Sequence, residues 1–421
     1  MQKAIAHGER FLDAFFPTGT SMSECMEVQP ARLSRFVPIA VVVFLGLMAM
    51  GMPLGSVPAF VNAKLGYGMT VVGLVMGVES VATLLTRHFA GVTADRKGPK
   101  IAVTIGLIGS FASGAFYFVG SEFASTPALG LALVVVGRIA MGFAQGLLFT
   151  GGSTWPIGIF GASNAGKALS WIGIAMFAGI SAGAALAAAL NEMFGFTIVA
   201  LATAVIPLIG LLIAVRLPNA HLAAPAGHKG SALRTIRKIW RPGLVFGLAT
   251  VGYVTVTSFV AIAYMEKGWS GAEYALSAFG IGYVSARLLL GSSTDRNSSP
   301  VMAVGMLSIE AVGQLLIWQS TSPSMSMLGA ALSGFGVSMI YPLLALVAIR
   351  GIARHDFGMA IGFYDACFDI AIGLSAPLAG VVAKFADTSA VFVVGVVCSL
   401  AAIAMAISVY RGEAALHQGG E

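Results

Sequence analysis

Long apolar runs broken by short polar or basic stretches set the pattern of this chain. A helix needs about 20 apolar residues to cross a bilayer. Runs of that kind fall at 36–62, 69–94, 101–121, 127–152, 166–191, 195–216, 242–265, 272–294, 300–320, 325–349, 358–384 and 388–410. The pattern predicts an all-α membrane protein of twelve transmembrane helices. Gly51-Met52-Pro53 and Tyr341-Pro342 interrupt two runs, which membrane helices tolerate where neighbours satisfy the freed backbone.

Composition narrows the class. Of 421 residues, 57% are hydrophobic and 10% charged, whereas a soluble domain carries about 25% charged residues. The 53 glycines suit helices that approach closely in lipid. A net charge of +6 does not make this a nucleic-acid binder, because its basic residues punctuate apolar runs instead of clustering on one face. Cys25, Cys367 and Cys398 are far apart, and neither they nor the six histidines have metal spacing. Cys367 and Cys398, inside apolar runs, read as buried structural thiols. His88, inside the second run, reads as a packing residue. No metal and no cofactor is expected, and the absence of Gly-x-x-x-x-Gly-Lys-Ser/Thr argues against ATP as driver.

Charge also sets the expected orientation. Arg96, Lys97, Lys100, Arg237, Lys238 and Arg350 fall in breaks on one side, whereas the other holds only Lys64, Lys267 and Lys384. Basic loops stay inside, so both termini are expected in the cytoplasm of a bacterium, the chain spanning its inner membrane. The expected organisation is a cytoplasmic tail over 1–35, with a short surface helix around Phe11–Phe16, and a six-helix bundle over 36–216. A cytoplasmic linker follows over 217–241, with an interfacial helix at Leu233–Trp240. A second six-helix bundle covers 242–410, and 411–421 is a cytoplasmic tail.

The halves repeat. The second run ends Arg87-x-x-x-Gly91-x-x-x-Asp95-Arg96, and the eighth ends Arg287-x-x-x-Gly291-x-x-x-Asp295-Arg296. Matched halves are the mark of secondary transporters. Gly91 leaves room for another helix, and Asp95 can face the positive N-terminus of a neighbouring helix. Arg96, Lys97 and Lys100 favour the anionic cytoplasmic leaflet.

A few charges sit inside the runs. Arg138 lies about 16 Å into the fourth at about 1.5 Å per residue, too deep to stay unpaired. It faces either a cavity, where it would bind an anionic group or take part in coupling, or an internal acid. Glu79, Glu310, Asp365 and Asp369 are embedded acids, each able to carry a proton across. Asp369 is nearest mid-depth and is the first choice. Glu79 is a second carrier or a partner for Arg138, and Glu310 fits intra-bundle hydrogen bonding better than transport. Gln145, Tyr341 and Tyr364 are candidate cavity residues, and Trp155 and Trp171 fit either a cavity or an anchor.

The loop Gly91-Val-Thr-Ala-Asp95-Arg96-Lys97-Gly98-Pro99-Lys100 resembles the major facilitator signature G-x-x-x-D-R-x-G-R-[RK], with Pro99 in place of the first basic residue of its final pair. Thr83-Leu84-Leu85-Thr86-Arg87, Lys267-Gly268-Trp269 and Ser308-Ile309-Glu310 look like the YhhS-type, arabinose-efflux-permease-like branch. The resemblance implies two six-helix bundles around a central cavity, alternating access, and a monomer whose partners are a small-molecule substrate, protons and membrane lipid. It assigns gating to Arg87, Gly91, Asp95, Arg96, Gly98 and Lys100 and to the repeat mates Arg287, Gly291, Asp295 and Arg296. Spans two and eleven meet at the cytoplasmic gate in such proteins. Matching depths then pair Arg87 with Asp365, with Asp95 or a lipid phosphate as the alternative partner, while Arg287 finds no acid at comparable depth in span five, so the latch is expected on one side only. The expected function is proton-coupled export by antiport. Proton-coupled uptake of a metabolite and a non-transporting sensor or scaffold are the alternatives. Span five departs from the antiporter signature, with Ile180 for proline and Ala184 for glycine.

Overall fold

Lipid offers the backbone no hydrogen-bond partner, so each apolar run must satisfy its own amides, and it does so as a helix. The computed structural model describes residues 30–161, 165–220, 232–291, 300–350 and 352–418, and no strand occurs among them. Helix α1 runs Pro30–Gly51 and continues as Pro53–Ala59 and a π-helical turn, Phe60–Lys64. It is followed by α2 (Met69–Lys97), α3 (Pro99–Glu122), α4 (Pro127–Phe160), α5 (Ala165–Phe194) and α6 (Phe196–Arg216). The second half holds α7 (Ala232–Glu266), α8 (Ala272–Leu290), α9 (Pro300–Trp318), α10 (Pro323–Ile349), α11 (Phe357–Phe385) and α12 (Ala390–Gln418). Among the described residues, eleven of these are long and apolar enough to cross a membrane, and α8 carries a shorter apolar stretch, Tyr274–Leu290. Proline opens α3, α4, α9 and α10, at the one helical position where its missing N–H costs nothing.

Several ends differ from the sequence expectation. Leu233–Trp240 is not a separate interfacial helix but the start of α7, which runs through Pro242 without a break. Ile239 is buried in the core of the second half, and that anchor holds the segment in line with the span. Helix α4 continues past 152 to Phe160, and α12 continues past 410 to Gln418. The surface helix expected around Phe11–Phe16, Cys25, and the gating candidates Asp295 and Arg296 lie outside the described residues.

The two halves pack alike. Helix α3 lies on α4 and α6, and α2 on α4; in the second half α9 lies on α10 and α12, and α8 on α10. Glycine sets the closest of these crossings. Gly142 of α4 lies on the main chain of Glu79 in α2, and Gly334 of α10 on that of Phe279 in α8. Across the halves, α2 meets α11, and α5 meets α8 and α10. These cross-contacts bring the two copies of the repeat to their partners.

Candidate functional site

At the end of the molecule where the α6–α7 linker lies, each repeat copy presses onto a helix of the other half. On α2, Arg87, Gly91 and Asp95 share one face because they are four residues apart. A β-carbon at Gly91 would stand 2.6 Å from Met359 Cα and 2.8 Å from the Gly358 carbonyl oxygen, so glycine is what permits α2 and α11 to touch. Asp95 accepts from the amides of Gly358 at 2.5 Å and Met359 at 2.8 Å, in the first turn of α11. A carboxylate there satisfies orphan N–H groups and meets the positive end of the helix.

Deeper in, Arg87 reaches two acids on α11. Its Nε and Nη2 donate to the two carboxylate oxygens of Asp369 at 2.7 and 3.0 Å, a bidentate clasp, and its Nη1 donates to Asp365 at 3.1 Å. Asp365 and Asp369 are one turn apart, so a planar guanidinium can serve both. Phe149 of α4 lies under the guanidinium, 5.6 Å from ring centroid to Cζ. All three charged side chains are buried. Fully ionised, two carboxylates face one guanidinium, a deficit of one positive charge.

The second copy closes differently from expectation. Span five supplies no acid at the depth of Arg287, yet Arg287 still crosses to it. Its Nη1 donates to the carbonyls of Ser170 at 2.7 Å and Leu169 at 3.4 Å, its Nε to Ser338 at 3.2 Å and its Nη2 to the Tyr283 hydroxyl at 2.8 Å. Gly173 makes this possible, since a β-carbon there would overlap the guanidinium. Gly291 packs on Ser170 as Gly91 packs on α11. The contact is therefore two-sided, with main-chain carbonyls replacing carboxylates.

The linker is tied to the same end. Gly98 sits between α2 and α3 at φ +95°, a conformation costly for any residue with a β-carbon, and Asn219 fills the space beside it. Asn219 donates to the Lys97 carbonyl, and Trp155 Nε1 to that of Pro218, both at 3.1 Å. Lys100, expected at lipid, instead donates to the carbonyls of Val215 at 2.9 Å and Leu217 at 2.6 Å, capping the end of α6. Arg96 is exposed.

The other embedded charges stay within their own halves. Arg138 Nη1 is 2.6 Å from a carboxylate oxygen of Glu79, both side chains buried. That is the internal-acid alternative of the sequence reading. Gln145 accepts from Thr83 at 3.1 Å. Glu310 is fully buried between α7, α9 and α10, and neither of its carboxylate oxygens has a hydrogen-bond partner among the described residues. Tyr364 donates to the Tyr341 carbonyl at 3.1 Å, and the Tyr341 hydroxyl shares a hydrogen bond with Ser153 of α4 at 3.0 Å. Trp171 is exposed, as is His88, which stacks on Phe363 at 5.8 Å between centroids. Cys367 and Cys398 are free and only partly buried.

Between the halves lies a cavity of about 40 Å³, room for roughly three waters. Arg87, Asp365, Arg287 and Tyr341 line it, whereas Arg138, Gln145 and Tyr364 do not. Phe177, Phe246, Tyr253, Tyr283 and Phe368 form its aromatic walls. Sequence reasoning missed these five, because an aromatic residue in an apolar run looks like any other until neighbouring helices are placed. One signal was present: Tyr283 precedes Arg287 by four residues, on the same helix face. Toward the opposite end, Gly73 and Gly77 of α2 and Gly373 and Gly380 of α11 have open space where a β-carbon would stand.

The profile described as Major Facilitator Superfamily matches residues 39–296 and again 244–419. "Uncharacterized MFS-type transporter YhhS" of Escherichia coli strain K12 is 31% identical over 374 residues, covering 89% of this chain and 91% of that one. An MFS-type transporter of Pseudomonas aeruginosa strain UCBPP-PA14 is 34% identical over 381 residues, covering 90% and 93%. Among solved structures, the human organic anion transporter MFSD10 superposes with TM-score 0.76 at 15% identity, covering 90% of this chain and 100% of that one. The outward conformation of FucP gives TM-score 0.71 at 16% identity, covering 90% and 99%. At such identities the likeness concerns the fold alone.

Proposed function

The chain belongs to the major facilitator superfamily, and from that premise we propose that it is a proton-coupled secondary transporter of a small organic solute, working by alternating access. The observation that carries the proposal is the Arg87–Asp365–Asp369 cluster. It joins the halves at one end, places Arg87 and Asp365 on the cavity between them, and lacks one positive charge. A proton on either acid supplies that charge and weakens the acid's hold on Arg87, so loading a proton and releasing the gate become one event. With the linker and both termini in the cytoplasm of a bacterial inner membrane, the arrangement described is closed inside and receives protons from outside.

The charge count also bears on direction. Arg87 and Arg287 balance Asp365 and Asp369, so the empty site is neutral. A proton bound alone leaves it positive, whereas a proton bound with an anion leaves it neutral again. That favours solute and proton travelling together, as symport. Export in exchange for protons, the sequence-based expectation, is the second reading, supported by a latch that a proton can release with no solute bound.

Proteoliposomes provide the test. Counterflow of a labelled solute separates a transporter from a sensor or scaffold. An inward proton gradient should accumulate solute under symport and deplete it under antiport. If counterflow is present but neither gradient direction changes net solute movement, the proton-coupled reading is wrong.

A further inference from the structure

Arg287 is 2% exposed, and no carboxylate lies within ion-pair distance of it among the described residues. Its partners are the neutral oxygens of Leu169, Ser170, Tyr283 and Ser338. Arg87, on the same cavity, is neutralised twice over. A guanidinium cannot shed its proton, and an enclosed charge with no counter-charge in contact with it is costly. Something that enters this cavity with a negative charge would relieve that cost.

The hydrogen bonds leave a place for it. A guanidinium has five N–H donors; the bonds to Leu169, Ser170 and Ser338 occupy Nη1 and Nε, and Nη2 gives one N–H to Tyr283. One Nη2–H remains. The Tyr283 hydroxyl accepts from Arg287, so its own proton is left to donate, and it donates no hydrogen bond among the described residues. Two donors therefore stand side by side on α8, both on the cavity wall. Beside them is an aromatic surface: Phe177 meets the Tyr283 ring edge-on at 5.1 Å, Phe177 and Tyr253 are 6.5 Å apart, and Tyr253 and Phe368 6.3 Å.

We infer that, as the cavity widens in the alternating-access cycle, Arg287 and Tyr283 bind the carboxylate of an aromatic monocarboxylate whose ring lies against Phe177, Tyr253 and Phe368. The inference rests on the reading of the central cavity as the solute site and names the class of solute. Arg138, the anion-binding candidate from sequence, is already neutralised by Glu79 and is not required.

The test measures binding to the purified full-length protein in detergent without any gradient, so its failure is separate from a failure of proton coupling. Benzoate is the probe, with benzyl alcohol as the neutral and benzylammonium as the cationic control. Benzoate is expected to raise the midpoint of thermal unfolding while the two controls do not. Arg287→Gln should raise the benzoate Kd at least about tenfold, the effect of losing one charge-assisted hydrogen bond. Tyr283→Phe keeps the ring and the fold and should also raise Kd several-fold. Stabilisation by benzoate no greater than by benzyl alcohol overturns the assignment. So does a wild-type benzoate Kd in a folded Tyr283→Phe protein.

Discussion

Arg87 and Asp369 are 282 residues apart in sequence, and Arg87 Nε stands 2.7 Å from an Asp369 oxygen. Their bidentate contact, more than the single bond from Arg87 to Asp365, joins the two halves at the linker end. Neutralising Asp369 leaves Arg87 paired with Asp365 alone, so the cluster is held in the neutral state that a bound proton would create and can no longer respond to one.

Asp369→Asn should therefore abolish solute accumulation driven by a proton gradient while leaving solute exchange largely intact. Asp365→Asn removes the charge from one of the three hydrogen bonds that Arg87 makes to α11 and should have the smaller effect. Both are read by comparing gradient-driven uptake with counterflow. Wild-type accumulation by the Asp369→Asn protein would sink the coupling role.

Reversing the polarity of the cluster probes the latch. Arg87→Asp and Asp365→Arg should each raise labelling of cysteines placed in the cavity by reagents from the linker side. The double exchange restores an attraction and should bring labelling back toward wild type. If it labels no less than the more open single variant, the two residues do not act as a pair.

Glycine at 91 faces main chain, whereas glycine at 173 faces the tip of a flexible side chain. Backbone cannot give way as a side chain can. Gly91→Ala should therefore open the linker end more than Gly173→Ala does, and accessibility labelling of the two variants gives the order.

Arg138 and Glu79 make a structural prediction. Arg138→Gln or Glu79→Gln alone should lower stability by about 3–5 kcal/mol, and the double variant should recover part of that loss. Thermal unfolding of the four proteins gives the coupling. Counterflow by the double variant should persist, since the pair is not on the cavity; its loss would return Arg138 to the solute path.

Glu310→Gln replaces a buried carboxyl that has no cation or hydrogen-bond partner among the described residues. Stability should be equal or higher, since no partner is orphaned by the change. Gradient-driven transport should be unchanged, which is what separates Glu310 from Asp369.

Much of this was legible in the chain. Twelve apolar runs can satisfy their amides in lipid only as helices, and the repeated Arg-x-x-x-Gly spacing puts Arg87 with Gly91, and Arg287 with Gly291, on one helix face. Those facts are local: they depend on helical geometry and on the solvent around it. Which helix each face meets is not local. Asp365 and Asp369 were both visible as embedded acids, yet only the placement of α11 against α2 gave Asp369 the bidentate contact. Arg287 looked partnerless because a search for acids overlooks main-chain carbonyls, which every helix carries and no sequence marks. Arg138 had a cavity or an internal acid before it, and the close crossing at Gly142 decided for Glu79 by bringing α2 and α4 together. The chain specified the helices and the side chains each would offer. Tertiary packing decided which charges would neutralise one another, because in a low-dielectric interior that choice turns on a few ångströms between helices distant in sequence.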